Sequence, residues 1–298
     1  MDNNRRKNVV VVLNYNDWEE TQRYCNAVVD FPAVDLIIIV DNLSSDGSFE
    51  RLKTLESDKL ILVRAKENKG YAAGNNVGLQ YIISHKIKGN VIISNPDIYY
   101  TNEILEKVLE PLKDSTVGIS TGLIHTDGKI TSNFGWMLPD FWDLLFNQYL
   151  LIYKLKRLTH NSIYCDYPKT GIEYVYCNCV SGCFFCMTTE TLDQIGLFDE
   201  RTFLYGEENI LGFKIKENGQ KVCVVTSANI EHRQHHSIRK SKTSYKRNEG
   251  WKLDSFLVYI KYYLKKGWIH QNLFKLSFWG AYCEKKLIEK IMDLISQR

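Results

Sequence analysis

Apolar and polar positions alternate between two rhythms along the first hundred residues. Asn8–Leu13 is an almost pure valine run, and Asp35–Val40 is a run of Leu and Ile. Short unbroken apolar segments of this kind predict strands buried on both faces. Asp17–Val29 instead spaces Trp18, Thr21, Tyr24, Cys25 and Val28 as one helical face. The same reading predicts helices at Ser48–Leu55 and Tyr71–Lys86 and strands at Lys59–Arg64 and Asn90–Ser94. Strand and helix in turn, with short connections, are the signature of βαβ units feeding a parallel sheet. The fold class expected is therefore α/β, a doubly wound, mostly parallel sheet. Beyond Thr101 the rhythm loosens. Helices are predicted at Glu103–Leu112 and Thr189–Ile195, and strands at Val117–Leu123, Tyr174–Met187 and Lys221–Ile230. Trp136–Thr170 is aromatic-rich and carries no clear period. The last 55 residues read as a helical extension, most plainly Glu284–Ile295, where Leu287, Ile288, Ile291, Leu294 and Ile295 share a face.

Charge separates this extension from the rest. From Arg239 to the C-terminus there are 14 Lys or Arg against 5 Asp or Glu, a balance of +9. The chain as a whole is at +3, so residues 1–238 stand at −6. An acidic body with no recognised nucleic-acid motif argues against nucleic acid as a partner. The basic tail is interleaved with Tyr and Trp, a composition suited to an anionic membrane surface or to packing on protein. No secretory signal opens the chain and no run approaches 18 apolar residues, so the expectation is a cytoplasmic protein. Peripheral contact with the inner face of the plasma membrane is expected to come through the tail. Four cysteines cluster as Cys177, Cys179, Cys183 and Cys186, but among Val180, Phe184, Phe185 and Met187. That setting favours buried small side chains over a zinc site, which usually has two widely separated pairs.

Candidate chemistry gathers after the predicted strands. Asn14-Tyr15-Asn16 follows the first, Asp41-Asn42 the second and Asn95-Pro96-Asp97 the fourth. Open parallel sheets bind ligands outside the carboxyl ends of their strands. Neither G-x-G-x-x-G after the first strand nor a G-x-x-x-x-G-K-[ST] loop is present, which excludes the usual dinucleotide and P-loop sites. The small-residue loop from Asn68 through Gly70 to Asn75 and Asn76 runs into a helix, where glycines permit close backbone approach and the helix start favours anions. Asp41 is placed to accept from a base edge or a ribose hydroxyl, with Asp46 closing the turn. Asp97 is the natural ligand for a hard divalent cation, Mg²⁺ or Mn²⁺, that would neutralise a diphosphate.

Several strings in fixed order carry a resemblance. They are Ile39-Val40-Asp41-Asn42 with Ser44, Asp46, Gly47 and Ser48; Glu67-Asn68 with Gly70-Tyr71-Ala72, Gly74-Asn75-Asn76 and Gly78; and Asn95-Pro96-Asp97. Later come Ser181-Gly182, Gly196 to Glu200, Phe203 to Glu208, and His232 through Ser237. Over roughly residues 8–240 the chain resembles the glycosyltransferase family 2 domain, most closely its rhamnosyltransferase-like and capsular-polysaccharide branch. The resemblance implies a GT-A type catalytic domain over 1–240, with a nucleotide half at about 8–97 and an acceptor half at about 98–240, and then the extension at 241–298.

It further implies a nucleotide-sugar donor, UDP- or dTDP-linked, and a saccharide or lipid-linked saccharide acceptor, in surface or capsular polysaccharide synthesis. Asn14, Asn16, Asp41, Asn42, Asp46, Asn68, Gly70, Asn75, Asn76 and Asn95 would serve the nucleotide. Asp97 and His232 would serve the metal, and Ser237, Gly182 and Trp136 the phosphate or acceptor side. In the family's inverting displacement a carboxylate of a late Glu-Asp pair is the general base; here the pair is Glu207-Glu208, so Glu208 takes that place. The pattern departs again at Ile210, where many relatives carry Asp, and at Lys214, where many carry Arg. These departures keep an inactive nucleotide-sugar-binding protein in view. A nucleotidyltransferase would want a Gly-rich, Arg- or Lys-bearing loop after the first strand, and Asn14-Tyr15-Asn16 offers none. Homo-oligomerisation is left open.

Overall fold

The computed structural model describes residues 6–131, 133–159, 162–233 and 245–296. Its first half follows the predicted rhythm closely. Strand β1 (Lys7–Asn14), helix α1 (Trp18–Val28), β2 (Leu36–Asp41), α2 (Ser48–Lys53), β3 (Leu60–Arg64), α3 (Tyr71–Ser84) and β4 (Gly89–Ser94) alternate without exception. β1 pairs in parallel with β2 on one side and β4 on the other, and β2 with β3. The valines of β1 explain why it is central. Val10 and Val12 enter one apolar cluster while Val9 and Val11 enter another on the opposite face. Both faces are covered, so no polar alternation is needed. Helix α3 lies tight on the sheet through a stripe of glycine. A Cβ at Gly74 would come within 2.6 Å of Leu13, and one at Gly78 within 2.6 Å of Val11.

The second half adds β5 (Ile98–Tyr99), α4 (Asn102–Leu109), β6 (Val117–Thr126), β7 (Lys129–Ile130), β8 (Gly135–Trp136), α5 (Phe141–Phe146) and α6 (Leu150–Leu158). It continues with β9 (Tyr174–Cys177), β10 (Cys179–Val180), β11 (Phe184–Thr188), α7 (Thr189–Ile195), α8 (Glu207–Glu217) and β12 (Lys221–His232). The large sheet runs β3-β2-β1-β4-β11-β6-β12-β5, with β7 on β6 and β9 on β12. β11 is antiparallel to both neighbours, while β12 is parallel to β6. The sheet is thus mixed but mostly parallel, in α/β order. β1 has β2 on one side and β4 on the other, so the strand order reverses there. That is where open α/β sheets form a ligand crevice.

Two predicted elements differ. Tyr174–Met187 is not one strand but three, and each finds a different partner: β9 joins β12, β10 joins β8, and β11 enters the sheet centre. Turns at Asn178 and at Ser181-Gly182 permit the changes, and Asn178 is held by Trp136 O and Leu138 N. The four clustered cysteines are thereby dispersed along the path, each one buried. The predicted helix at Glu103–Leu112 gives way after Leu109 to a 3₁₀ turn that contains Pro111, which has no N–H to continue the α pattern.

The extension forms α9 (Tyr245–Val258), one π turn (Tyr259–Tyr263) and α10 (Trp268–Ser296). It docks through a third apolar cluster in which Leu253, Tyr259, Ile260, Phe274 and Phe278 meet Phe141, Leu144 and Leu145 of α5 and Ile210 of α8. Burying side chains of this size contributes ~1.5–3 kcal/mol each. Ile210 faces this apolar joint. The amphipathic face predicted near the end of α10 is left uncovered: Leu287, Ile291 and Leu294 are 46–60% exposed. No helix among the described residues is long and apolar enough to cross a membrane.

Candidate active site

The carboxyl ends of β1, β2 and β3 stand in register, with Asn14 beside Asp41 and Asp41 beside Arg64. Their side chains are bonded mainly to each other. Asn14 Nδ2 donates to Asp41 Oδ1 at 3.0 Å and to Ser44 Oγ at 3.1 Å, and Asn14 Oδ1 accepts from Thr21 at 2.9 Å. Asp41 Oδ2 takes the Ser44 N–H at 3.2 Å and lies 3.4 Å from Arg64 Nε. Asn14 and Asp41 are both fully buried. The Asp41 carboxylate lies under the rim and braces the turn that carries Asn16 and Ser45. Asn16 Oδ1 accepts from Ser45 N at 2.8 Å. Asp46 closes its turn by accepting from Ser48 N and Oγ.

The Asn68–Asn76 loop is also turned inward. Asn42 donates to Asn68 Oδ1 and Gly70 O. Gly70 has φ +94, and a Cβ there would overlap the Phe203 carbonyl, so the close approach it allows is to protein rather than to phosphate. Asn75 donates to Tyr71 O within its own helix. Asn76 donates to Phe198 O and Glu200 Oε1 and accepts from Phe198 N at 2.9 Å. Its amide ties the two halves together. Asn75 and Asn76 are each 1% exposed, and Asn75 Oδ1 has no hydrogen-bond partner among the described residues. Asn16, Asn68 and Asn95 remain partly exposed at the rim, Asp46 is exposed, and Tyr15 beside them is 52% exposed.

Asp97 and His232 meet where β4 ends and β12 ends. β12 pairs with β5 so that His232 sits opposite Ile98, and His232 Nε2 lies 3.3 Å from Asp97 Oδ1. Arg233 N donates to Asp97 O at 3.0 Å, and Arg23 donates to Pro96 O. Burial works to lower the His232 pKa, but hydrogen bonds to Asp97 and the Cys183 thiol outweigh it and lift the imidazole to about 10. A buried carboxylate beside an imidazole suits a divalent cation that completes its shell with phosphate oxygens and water, and such a cation would displace the proton that the pair otherwise holds on His232. Among the described residues no three His, Cys, Asp or Glu side chains converge. His235, His236 and Ser237 lie outside the described residues.

Glu207 and Glu208 open α8 after two left-handed residues, Tyr205 at φ +70 and Gly206 at φ +79. A bulky residue at positive φ is strained, and here it turns the chain into the helix. Burial lifts the Glu208 carboxyl above the ordinary range, against the N–H groups of Glu208, Gly182 and Gly206 that pull it down. Burial and the neighbouring Glu208 push Glu207 well above that range. Gly182 N donates to Glu208 Oε1 at 3.4 Å, and Cys183 O accepts from Asn95 N at 2.8 Å. The Gly182–Cys183 turn thus touches Glu208 on one side and Asn95 and His232 on the other. Tyr71, not singled out from the sequence, clamps this turn by donating to Gly182 O.

Glu208 also lines a cavity of about 230 Å³ with Trp136, Tyr164, Tyr205 and Asn209. Trp136 Nε1 donates to Asn209 Oδ1 at 2.8 Å, which fixes the indole in the wall. Lys252, Phe256 and Lys285 close the cavity from the extension. Sequence reasoning missed these three because only tertiary packing brings residues so far apart to Glu208. Lys214 donates to Leu197 O, and Asp199 binds Arg201 and the Tyr263 hydroxyl. Burial alone would raise Asp199; those bonds bring it down to about 2.

Known proteins share this architecture. The low-salt glycan biosynthesis hexosyltransferase Agl10 of Haloferax volcanii is 22% identical over 199 residues, which is 67% of this chain and 58% of that protein. The chain therefore spans little more than half the length of this curated relative. GalNAc-T7, crystallised with UDP, GalNAc and Mn²⁺, superposes with a TM-score of 0.61 at 18% identity, over 87% of this chain and 48% of its own. The mannosyltransferase PcManGT from Pyrobaculum calidifontis, in complex with GDP-Man and Mn²⁺, gives 0.54 at 14% identity over 98% and 81%. S. aureus TarS 1–349 in complex with UDP-GlcNAc gives 0.53 at 16% over 93% and 72%. At these identities the likeness is one of fold. The model of the family described as glycosyl transferase family 2 matches residues 9–170, more than half of the chain, and the protein belongs to that family.

Proposed function

We propose that the chain is an inverting, metal-dependent glycosyltransferase that moves a sugar from a UDP- or dTDP-linked donor to a saccharide or lipid-linked saccharide, in surface polysaccharide synthesis. One relation supports the reading: the Gly182–Cys183 turn contacts Glu208 on one side and Asn95 and His232, the partner of Asp97, on the other. An in-line displacement wants a base on one side of the anomeric carbon and charge stabilisation on the other. Glu208, with its raised pKa, would take the proton of the acceptor hydroxyl as that oxygen attacks. Asp97 and His232 would hold Mg²⁺ or Mn²⁺, which when bound supplies positive charge to the departing diphosphate. Tyr15, Asn16, Asp46, Asn68 and Asn95 at the rim would face the nucleotide, and Trp136 the acceptor. Mn²⁺ and nucleotide or nucleotide-sugar in GalNAc-T7 and PcManGT support the donor class and the metal.

The test is a thermal-shift panel of nucleotide sugars with Mn²⁺ or EDTA, followed by NMR of the anomeric configuration of the product. One donor should raise the melting temperature in Mn²⁺ alone, since stabilisation grows with ligand excess over the dissociation constant. A product that retains configuration would end the single-displacement reading. A metal-dependent shift with no transfer or hydrolysis would leave an inactive binding protein. The uncovered apolar face of α10, beside exposed Leu151, Leu155 and Leu158 of α6 and with exposed Lys154, Lys286 and Lys290 on the same two helices, supports peripheral contact with anionic lipid. Sedimentation with phosphatidylglycerol vesicles that a Leu287→Asp, Ile291→Asp variant fails to reduce would remove it.

A further inference from the structure

The cavity that contains Glu208 has two lysines in its wall, and the extension contributes both: Lys252 from α9 and Lys285 from α10. Among the described residues neither ammonium forms an ion pair. Lys252 is partly buried, with Nζ 5.9 Å from the Phe256 ring centre. Apart from Glu208, the wall's carboxylate is Asp143, which binds Lys156 at 3.2 Å and accepts from Asp140 N at 3.3 Å. Burial pulls the Lys252 pKa down and the charge of Lys285 adds to it, against Glu249. Two like charges in one wall repel each other, and an anionic guest would relieve that repulsion. Nothing in the proton-transfer chemistry of Glu208 calls for them.

We propose that the acceptor carries an anionic group, a phosphate or a carboxylate, which Lys252 and Lys285 grip while the attacking hydroxyl faces Glu208. The inference rests on the reading of Glu208 as general base and adds to it the chemical class of the acceptor. Two sources share that chemistry: the diphosphate of a lipid-linked saccharide, and the carboxylate of an acidic sugar. The extension would then be part of the acceptor site rather than a separate anchor, since it supplies both cations.

Binding to the full chain, saturated with Mn²⁺ and whichever of UDP or dTDP raises its melting temperature, separates the outcomes. The probes are farnesyl diphosphate against farnesol, and methyl glucuronide against methyl glucoside. One anion should bind at least tenfold more tightly than its neutral partner, and the pair that shows the preference names the source. Lys252→Met and Lys285→Met should each weaken that anion about tenfold, the scale of a lost charge-assisted hydrogen bond, while Lys252→Arg holds it within threefold. No preference in either pair, or equal weakening of anion and neutral probe, overturns the proposal. Failure of both nucleotides to shift the melting temperature would instead sink the donor reading above.

Discussion

The rim at the strand ends and the recess at Glu208 treat polar groups in opposite ways. At the rim, Asn14, Asp41, Asn42, Asn75 and Asn76 are at most 4% exposed, and their side chains are bonded mostly to the protein itself. Across the turn at Gly182 the charges are less well compensated. Glu207 and Glu208 share the first turn of α8 with both pKa values raised, and Lys252 shares a wall with Lys285. Satisfied networks rigidify, whereas buried charges short of partners hold free energy that a substrate can release. The rim is mostly internally bonded, with Asn42 Oδ1 and Asn75 Oδ1 its buried oxygens that have no partner among the described residues, while the recess holds like charges side by side.

The sharpest way to break this contrast is Glu208→Gln. Loss of a general base should cut transfer by about 10²–10⁴-fold and leave the donor-induced thermal shift in place. Asp97→Asn should reverse the pattern, with most of the Mn²⁺-dependent shift gone. Activity near that of the unaltered chain in the first variant would remove Glu208 from the role. The pH dependence follows the same groups. Activity needs Glu208 ionised and its pKa is raised, so kcat/KM should fall on acidification at a pH above the ordinary ~4.3 of a glutamate. The folded chain holds these protons more tightly than the unfolded one. The stabilising contribution of Glu207 and Glu208 is therefore full at low pH and is lost as pH rises through their raised values. An acid limb at or below the ordinary value would count against the buried pair.

Much of the rim was legible in the sequence because its cause is local. Four valines in β1 and the Leu-Ile run of β2 can only be double-sided strands, and strand order then places Asn14, Asp41 and Asp97 at one edge. What the sequence could not show is which way a polar side chain turns there. Asp41 and Asn76 look like ligand contacts in a motif, but Thr21, Ser44 and Phe198 claim their network, and those partners come from elsewhere in the chain. The cavity was hidden for the same reason in stronger form. Trp136, Glu208, Lys252 and Lys285 have no shared period, and only the apolar joint around Phe274 and Ile210 brings the extension over the recess.

Asn76→Leu tests whether the rim is structural. The substitution keeps the volume but leaves Phe198 N–H and C=O and Glu200 without their partner. An unmet buried group costs ~1–3 kcal/mol, so about 2–3 kcal/mol should be lost overall, read as a lower urea midpoint at unchanged slope. Donor affinity measured well below the new midpoint should stay within a few-fold. A large loss of affinity in a protein of unchanged stability would return Asn76 to the nucleotide.

Gly182→Ala should give the smallest effect and probes the seam between the two regions. A Cβ at this position would stand 3.2 Å from Glu208 Oε1, closer than ordinary van der Waals contact, so the carboxylate must shift by a few tenths of an ångström. The shift would stretch the bond from Gly182 N, already 3.4 Å, one of the N–H donors that hold the Glu208 pKa down. A base slightly displaced and harder to ionise should lower kcat/KM by roughly threefold to tenfold and move the acid limb to higher pH. The pH shift separates this account from simple crowding. If Glu208 were only a helix-start residue, the added methyl would lower the melting temperature and leave the position of the limb untouched.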